Sequence, residues 1–372
     1  MKKSSLFNAQ LIYFVALILF VCVRIIVLVV DFGLNETLMD TVSTLFVQVG
    51  IMFLLPILLF SKLQKQSVKT TFKDFNFAKI NIGSILVCVL IGFLCYFLNV
   101  SIASFFGSII RMLGYESAPT VGSGAGATLT TASFALQVLT VAILPAICEE
   151  TLHRGLLLKG YASLGIKKAV IISSLLFGLT HLNINQFFYA TVLGFIIAVS
   201  VIISKNIIPA IIIHFMNNFL SVYFSYATAN NWFGADLYRF MTSFVSSNNL
   251  ISFFITNCFV LITLVMGIVA LFAVLLKHTR IKKVNKMLKD IADINKEYSD
   301  NNQTLQQNQN LYNLYNLNNL MSQYNIKSLN SMVFTEMENK TQKTTVYEKI
   351  LLISSFVLGG IITIFTFIWG VI

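Results

Sequence analysis

A few ionisable side chains inside apolar stretches are the most informative residues of this sequence. Glu149 and Glu150 are adjacent within a long apolar stretch, whereas nearly all of the other acidic residues lie in polar connections or in a polar tail. His181 and His214 each lie within a later apolar stretch. A charge at the centre of a bilayer costs at least ~2.5–3.5 kcal/mol, so such residues in membrane helices mark ion pathways, proton relays or catalytic sites.

Helical spacing predicts which of these side chains share a direction. Residues four apart lie on one helix face, so Glu150 and Arg154 are expected to form an ion pair that neutralises both charges. Glu149 points about 100° away from Glu150 and is free to face a cavity. His214 and Asn218, again four apart, project toward one place. The two glutamates are therefore expected to differ, one holding structure and one available for chemistry.

Two prolines precede these groups. Pro145 lies four residues before Glu149, and Pro209 lies five residues before His214. Because proline lacks the backbone N–H that a helix uses, either residue could kink its helix or open the backbone locally.

The stretches that carry these residues are predicted to be transmembrane helices. Only 11% of the 372 residues are charged and 56% are hydrophobic, with a mean hydropathy of +0.80, whereas soluble domains carry roughly 25% charged residues. This composition excludes a cytosolic globular enzyme. It predicts an all-α polytopic membrane protein with about nine transmembrane helices. The predicted spans are residues 10–30, 42–61, 82–110, 132–158, 168–182, 186–204, 207–226, 250–276 and 349–372.

Basic residues in alternate connections predict the orientation of these spans. The net charge is +11, and most of the lysines follow the second, fourth, sixth and eighth spans. Connections on the cytoplasmic side carry the excess of Lys and Arg in membrane proteins. We therefore expect the N-terminus inside and a location in the cell (plasma) membrane. The fifth span is short, and it is expected to form a tight hairpin with the sixth.

The chain divides into five predicted regions. Residues 1–131 hold three spans, 132–226 a helical core of four spans, and 227–276 a loop and the eighth span. Residues 277–348 are polar: apolar side chains at helical spacing between Ile281 and Ile294 predict a juxtamembrane amphipathic helix, followed by a loose or weakly helical Asn-rich stretch. Residues 349–372 form the last span.

Three short motifs in the core resemble those of a known family. Residues 149–154 match E-E-x-x-x-R, residues 177–181 match F-x-x-x-H, and residues 214–218 match H-x-x-x-N. In this order, on successive membrane helices, they resemble the CAAX protease and bacteriocin-processing family of intramembrane endopeptidases, which includes the type II CAAX prenyl proteases. The resemblance covers about residues 132–226, where it implies a four-helix catalytic core. His153 departs from it, because the family often has an aromatic residue before the arginine.

The resemblance implies a role for each motif residue. Glu149 would activate the attacking water with the help of His181, while His214 and Asn218 would donate hydrogen bonds to the developing oxyanion. The second glutamate and the arginine of the first motif would maintain the helix geometry. Preorganised donors of this kind stabilise a tetrahedral intermediate without reorganisation. No serine or cysteine nucleophile is required, and Cys148 is expected to face elsewhere on the helix.

The resemblance leaves a metal cofactor open. Zinc catalysis uses three protein ligands and one open position, which Glu149, His181 and His214 could supply, with Glu150 or His153 in reserve. The family has been described both as metalloproteases and as a metal-free glutamate type, and this sequence has no H-E-x-x-H. We favour water activation by Glu149 with His181, and zinc is the alternative.

The expected partners are a lipid bilayer and a membrane-anchored peptide or protein substrate, of CAAX type or bacteriocin-like. Nucleic acid is not expected, because no basic, aromatic-interleaved groove is present. Two other functions are kept as alternatives. A non-catalytic immunity or scaffold protein on the same fold would not need all the motif residues together. A proton-coupled transporter would use glutamate and histidine as a relay, typically with inverted repeats, and none are visible.

Overall fold

A computed structural model describes residues 5–115, 130–243, 250–301 and 344–369. Within these ranges the chain is helical and contains no strand. Eight of the described helices are long and apolar enough to cross a membrane. The prediction of an all-α, multi-pass integral membrane protein is therefore confirmed.

The helices are numbered here in chain order. They are α1 (Ser5–Val29), α2 (Glu36–Gln64), α3 (Val68–Asp74), α4 (Ile82–Met112), α5 (Thr131–Ala162), α6 (Ile166–Thr180), α7 (Ile184–Ser204), α8 (Ile208–Ala229), α9 (Ala235–Ser243), α10 (Leu250–Asn301) and α11 (Val346–Trp369). Long helices are expected in a bilayer, because each backbone N–H and C=O must be hydrogen-bonded within its own segment.

The helix at the predicted fifth span is shorter than the membrane is thick. It corresponds to α6, which has 15 residues and is therefore about 22 Å long. A hydrocarbon core is roughly 30 Å thick, so α6 is too short to cross it without help. The described helices therefore offer eight candidate spans, where the apolar stretches of the sequence predicted nine.

Two of the spans contain π-helical segments, in which a backbone N–H bonds to the carbonyl five residues earlier. These segments are Phe46–Leu54 in α2, and Val138–Ile143 and Thr151–Leu157 in α5. Prolines follow the first two segments after one further residue, at Pro56 and Pro145. π-Helical turns occur often at functional sites, and the second and third segments flank the two glutamates.

Pro145 opens the backbone of α5, as its position predicts. In a regular α-helix the N–H of residue 145 would bond the carbonyl of Val141, and proline has no N–H to give. Pro209 does not have this effect. It lies in the first turn of α8, where the missing N–H would have no partner within the helix.

Helices α6 and α7 form a tight antiparallel hairpin, as the sequence predicts. Their connection is residues 181–183, and Leu182 adopts a left-handed conformation with φ of 52°. Glycines let the two backbones approach: a Cβ on Gly178 would meet the hydroxyl of Thr191, and one on Gly194 would lie 3.3 Å from Ser174. Small residues at helix interfaces serve this purpose in membrane proteins.

Three of the lysine-bearing connections meet on one side of the bundle. Asn76 donates from Nδ2 to the carbonyl of Lys205, and Lys159 donates from Nζ to the carbonyl of Asp74. Asn206 adds a hydrogen bond of 2.7 Å to the carbonyl of Ala78. The connections after the second, fourth and sixth predicted spans thus share one side, as the positive-inside rule requires. That this side is cytoplasmic stays a prediction.

The juxtamembrane helix continues the preceding span without a break. Helix α10 runs over 52 residues, from Leu250 to Asn301. It therefore includes the predicted amphipathic stretch between Ile281 and Ile294. The Asn-rich stretch after Asn301 lies outside the described residues up to residue 343.

Candidate active site

Glu150 lies at the centre of a buried ionic cluster. Its Oε1 accepts from Nη1 of Arg154 at 3.0 Å and from Nδ1 of His214 at 2.8 Å. Arg154 also donates from Nη2 to the carbonyl of Gly194 at 2.8 Å. Both Glu150 and Arg154 are fully buried. The ion pair that the spacing predicts is present, and its cluster joins α5 to α7 and α8.

The ring of Phe177 forms the aromatic wall beside this cluster. The guanidinium of Arg154 lies 4.4 Å from the ring centroid. Edge-to-face contacts join the same ring to His153 at 5.0 Å, His181 at 5.2 Å and His214 at 5.7 Å. A cation over an aromatic face is stabilised by the ring quadrupole. The aromatic residue of the second motif therefore positions the histidines and supports the arginine.

Glu149 has quite different surroundings from its neighbour. It is only partly buried, and its Oε1 accepts one hydrogen bond, from Nε2 of Gln48 at 2.9 Å. It lies within electrostatic range of both His181 and Arg154. A carboxylate with one neutral amide partner and partial exposure has lone pairs left for a water molecule.

Gln48 is a site residue that sequence reasoning missed. It comes from the π-helical segment of α2 and is 9% exposed. The one feature of the sequence that could have indicated it is an amide side chain within an apolar span. Its other end, Oε1, is buried and has no hydrogen-bond partner among the described residues.

His181 lies at the point where α6 ends. Its Nδ1 is 3.0 Å from the carbonyl of Phe177, and a carbonyl can only accept. The hydrogen on Nδ1 is therefore assigned by this contact, which leaves Nε2 of the neutral ring as the basic nitrogen. Because α6 ends here and does not continue past the site, His181 lies within electrostatic range of Glu149 and His214.

Asn218 lies on the same helix as His214 but contacts a different part of α5. Its Nδ2 donates to the carbonyl of Val141 at 3.0 Å, which is the carbonyl that Pro145 cannot bond. His214 instead contacts Glu150. The two side chains therefore contact different parts of α5, although their spacing on α8 predicted that they would project toward one place.

The ring of His153 packs among aromatic side chains and is not placed as a metal ligand. Its ring packs edge-on between Tyr13, at 5.7 Å, and Phe177. The side chain is fully buried, and neither ring nitrogen has a hydrogen-bond partner among the described residues. The residue therefore fills the place where the resembling family often has an aromatic side chain.

The predicted zinc ligands do not meet as a metal site in the described part of the chain. No three histidine, cysteine, aspartate or glutamate side chains there are placed to hold a metal ion. We therefore derive no catalytic step through a metal.

Comparison with known proteins identifies the segment that carries the three motifs. A family model described as type II CAAX prenyl endopeptidase Rce1-like matches residues 131–220. This confirms, over that segment, the resemblance drawn from the three motifs. The match begins with α5 and ends within α8, so it leaves α2 and α4 outside. Neither curated proteins nor solved structures gave a match to the chain.

Proposed function

We propose that this membrane protein is an intramembrane endopeptidase that hydrolyses peptide bonds of membrane-associated substrates. The observation that carries the proposal is the pair of adjacent glutamates with opposite surroundings. Glu150 is bound in a buried ionic cluster, while Glu149 is partly exposed and lies within electrostatic range of His181. The family match over residues 131–220 supports this class of chemistry. A CAAX-type or bacteriocin-like substrate at the plasma membrane, with the N-terminus inside, completes the proposal.

Water activation is assigned to Glu149 and His181. Glu149 accepts a proton from a water molecule whose oxygen attacks the carbonyl carbon of the scissile peptide bond. His181 presents Nε2, because its Nδ1–H is held by the carbonyl of Phe177, and it orients this water or shares its proton. A positioned base contributes about 10²–10⁴-fold to such a step.

The oxyanion is assigned to Asn218 and His214. Asn218 uses one N–H of its amide for Val141, so its second N–H remains for the negative oxygen. His214 holds its Nδ1–H against the carboxylate of Glu150. It can therefore donate from Nε2 only as the doubly protonated ring, whose positive charge Glu150 would face. Such donors stabilise the charge that develops in the transition state.

Product formation requires one further proton transfer. The tetrahedral intermediate collapses when the C–N bond breaks, and the amine leaves with the proton that Glu149 took from water. Glu149 then returns to its ionised form for the next cycle. The residues of this chain thus balance the reaction without a covalent intermediate.

The proposal is tested with the purified full-length protein and membrane-anchored peptides. We expect the wild type to cleave and Glu149→Gln to lose cleavage, while the neighbouring Cys148→Ala retains it. Parallel reactions with a chelator, and with zinc added back, decide the cofactor. Equal activity of wild type and Glu149→Gln would sink the assignment. Correct folding of all variants with no cleavage of any peptide would favour the non-catalytic alternative.

A further inference from the structure

A chain of asparagine amides leads from α4 to the predicted oxyanion site. Asn99 of α4 donates from Nδ2 to Oδ1 of Asn217 at 2.8 Å, and Asn217 donates from Nδ2 to Oδ1 of Asn218 at 2.9 Å. Asn218 then donates to the carbonyl of Val141 at 3.0 Å. All three hydrogen bonds run in the same direction.

The carbonyl of Val141 sets the direction of this whole series of hydrogen bonds. A main-chain carbonyl only accepts, so the amide of Asn218 must face it with nitrogen, and the nitrogens of Asn217 and Asn99 follow in turn. An inverted amide at any position would place two acceptors together. Aligned hydrogen bonds in a low-dielectric interior also polarise one another. The orientation of Asn218 is thus set from two ends.

The two upstream asparagines are buried and held close by the helix packing. Asn99 and Asn217 are each 7% exposed, whereas Asn218 is only partly buried. Gly92 lies two turns before Asn99 on α4, and a Cβ there would come within 2.9 Å of the carbonyl of Ile213 on α8. This close approach lets a short asparagine side chain reach across from α4.

We propose that Asn217 and Asn99 are positioning residues, which hold the amide of Asn218 so that its second N–H faces the reacting carbonyl oxygen. The inference rests on the proposed function for its catalytic meaning. It goes beyond the motif in two respects: Asn217 occupies one of its unspecified positions, and Asn99 lies outside the segment that matches the family. The α4 helix would therefore complete the oxyanion site.

Kinetics of single and double variants test the chain. We expect Asn217→Leu to lower kcat about 10-fold with KM unchanged, and Asn99→Leu to lower it less, since the loss of one aligned hydrogen bond is worth roughly one factor of ten or less. In the Asn218→Ala background, Asn217→Leu should cause no further loss, because residues that act through one another are not additive. A loss of equal size in both backgrounds, or no loss in either, would overturn the proposal.

A matched control is available in another span. Asn257 of α10 is fully buried and bonds the carbonyl of Phe253 within its own helix. Asn257→Leu should leave kcat near the wild-type value. Asn217→Asp serves as the second variant: it keeps an acceptor for Asn99 but loses the donor to Asn218. We expect its kcat to fall as far as that of Asn217→Leu, and wild-type kcat would contradict the inference.

Thermal unfolding separates this inference from the proposed function. Asn99→Leu and Asn217→Leu should together lower Tm by less than the sum of their separate effects, because they share one hydrogen bond. This holds whether or not the protein cleaves peptides. Cleavage that depends on Glu149 but is insensitive to Asn217 would refute the positioning role alone. Absence of cleavage would refute the proposed function and the catalytic meaning together, and additive Tm changes would refute the chain itself.

Discussion

Glu149 and Glu150 are neighbours in the chain, yet they occupy two unlike environments. Glu150 is fully buried, and a single oxygen accepts from both Arg154 and His214. Glu149 is partly exposed and receives one hydrogen bond, from the neutral amide of Gln48. The buried carboxylate has a cation to balance it, whereas the hydrogen-bond donor to Glu149 is a neutral amide.

This difference separates a structural carboxylate from a reactive one. A buried ion pair holds its members in one geometry and leaves little freedom to exchange protons with a substrate. A partly exposed carboxylate with unfilled lone pairs can bind and deprotonate water. The cluster around Glu150 thus acts as a frame that joins α5, α7 and α8, and Glu149 lies at its edge.

The largest effect is expected from Glu149→Gln. The amide keeps the size of the side chain but cannot accept a proton, so kcat should fall about 10²–10⁴-fold. Cleavage of a membrane-anchored peptide measures this loss. Tm should remain near the wild-type value, because the new amide keeps an oxygen that can still accept from Gln48. A large fall in Tm would instead show that Glu149 supports the structure as Glu150 does, and the two glutamates would no longer differ in role.

Glu150→Ala should act on stability. Removal of the carboxylate leaves the charge of Arg154 buried and uncompensated, which costs about 3–5 kcal/mol. Unfolding in detergent, followed against temperature or denaturant, measures the change. The double variant Glu150→Leu with Arg154→Met should recover much of the stability, since an apolar pair of similar volume often replaces a buried ion pair without loss. Exposed Glu36→Ala is the control.

Gln48→Leu should have an intermediate effect on activity. It removes the single donor to Glu149, and a hydrogen bond to a charged group is worth about 1.5–3 kcal/mol. We expect kcat to fall about 10-fold or more, while Gln137→Leu, elsewhere in the spans, leaves it unchanged. Wild-type kcat in Gln48→Leu would show that α2 does not contribute to the site.

His153→Phe should have the smallest effect. Its ring nitrogens have no partners among the described residues, and its neighbours are aromatic. A phenyl ring of similar volume should change stability by less than about 1.5 kcal/mol and leave cleavage intact. His181→Phe provides the contrast and should abolish cleavage. Loss of activity in His153→Phe would give this histidine a role that its surroundings do not suggest.

Local patterns in the sequence were sufficient for much of this arrangement. Continuous apolar stretches predict helices in lipid, and a spacing of four residues predicts the ion pair between Glu150 and Arg154. The opening of α5 before Glu149 follows from Pro145, because the missing N–H is a property of the residue itself. Each of these features depends on neighbours within about two helical turns.

Features that depend on other helices were not predictable in this way. Gln48 and Asn99 are amides in apolar spans, and nothing local indicates which helix each will contact. The shared spacing of His214 and Asn218 suggested one target, but Glu150 and Val141 lie nine residues apart along α5. The predicted fifth span, residues 168–182, has the same length as α6 but ends two residues later. The apolar Leu182 follows the helix, and only its left-handed backbone marks the boundary.

The π-helical segment Thr151–Leu157 follows Glu150 directly, and it makes the site sensitive to chain length. A π-turn holds more residues per turn than an α-helical one, so deletion of one residue there would let α5 continue as a regular helix. The helix on either side would keep its orientation, and the side chains within the segment, Arg154 among them, would be displaced. Loss of a single codon here would thus move Arg154 relative to Glu150 while the rest of α5 stays in place, and counting the residues between these two side chains would reveal it.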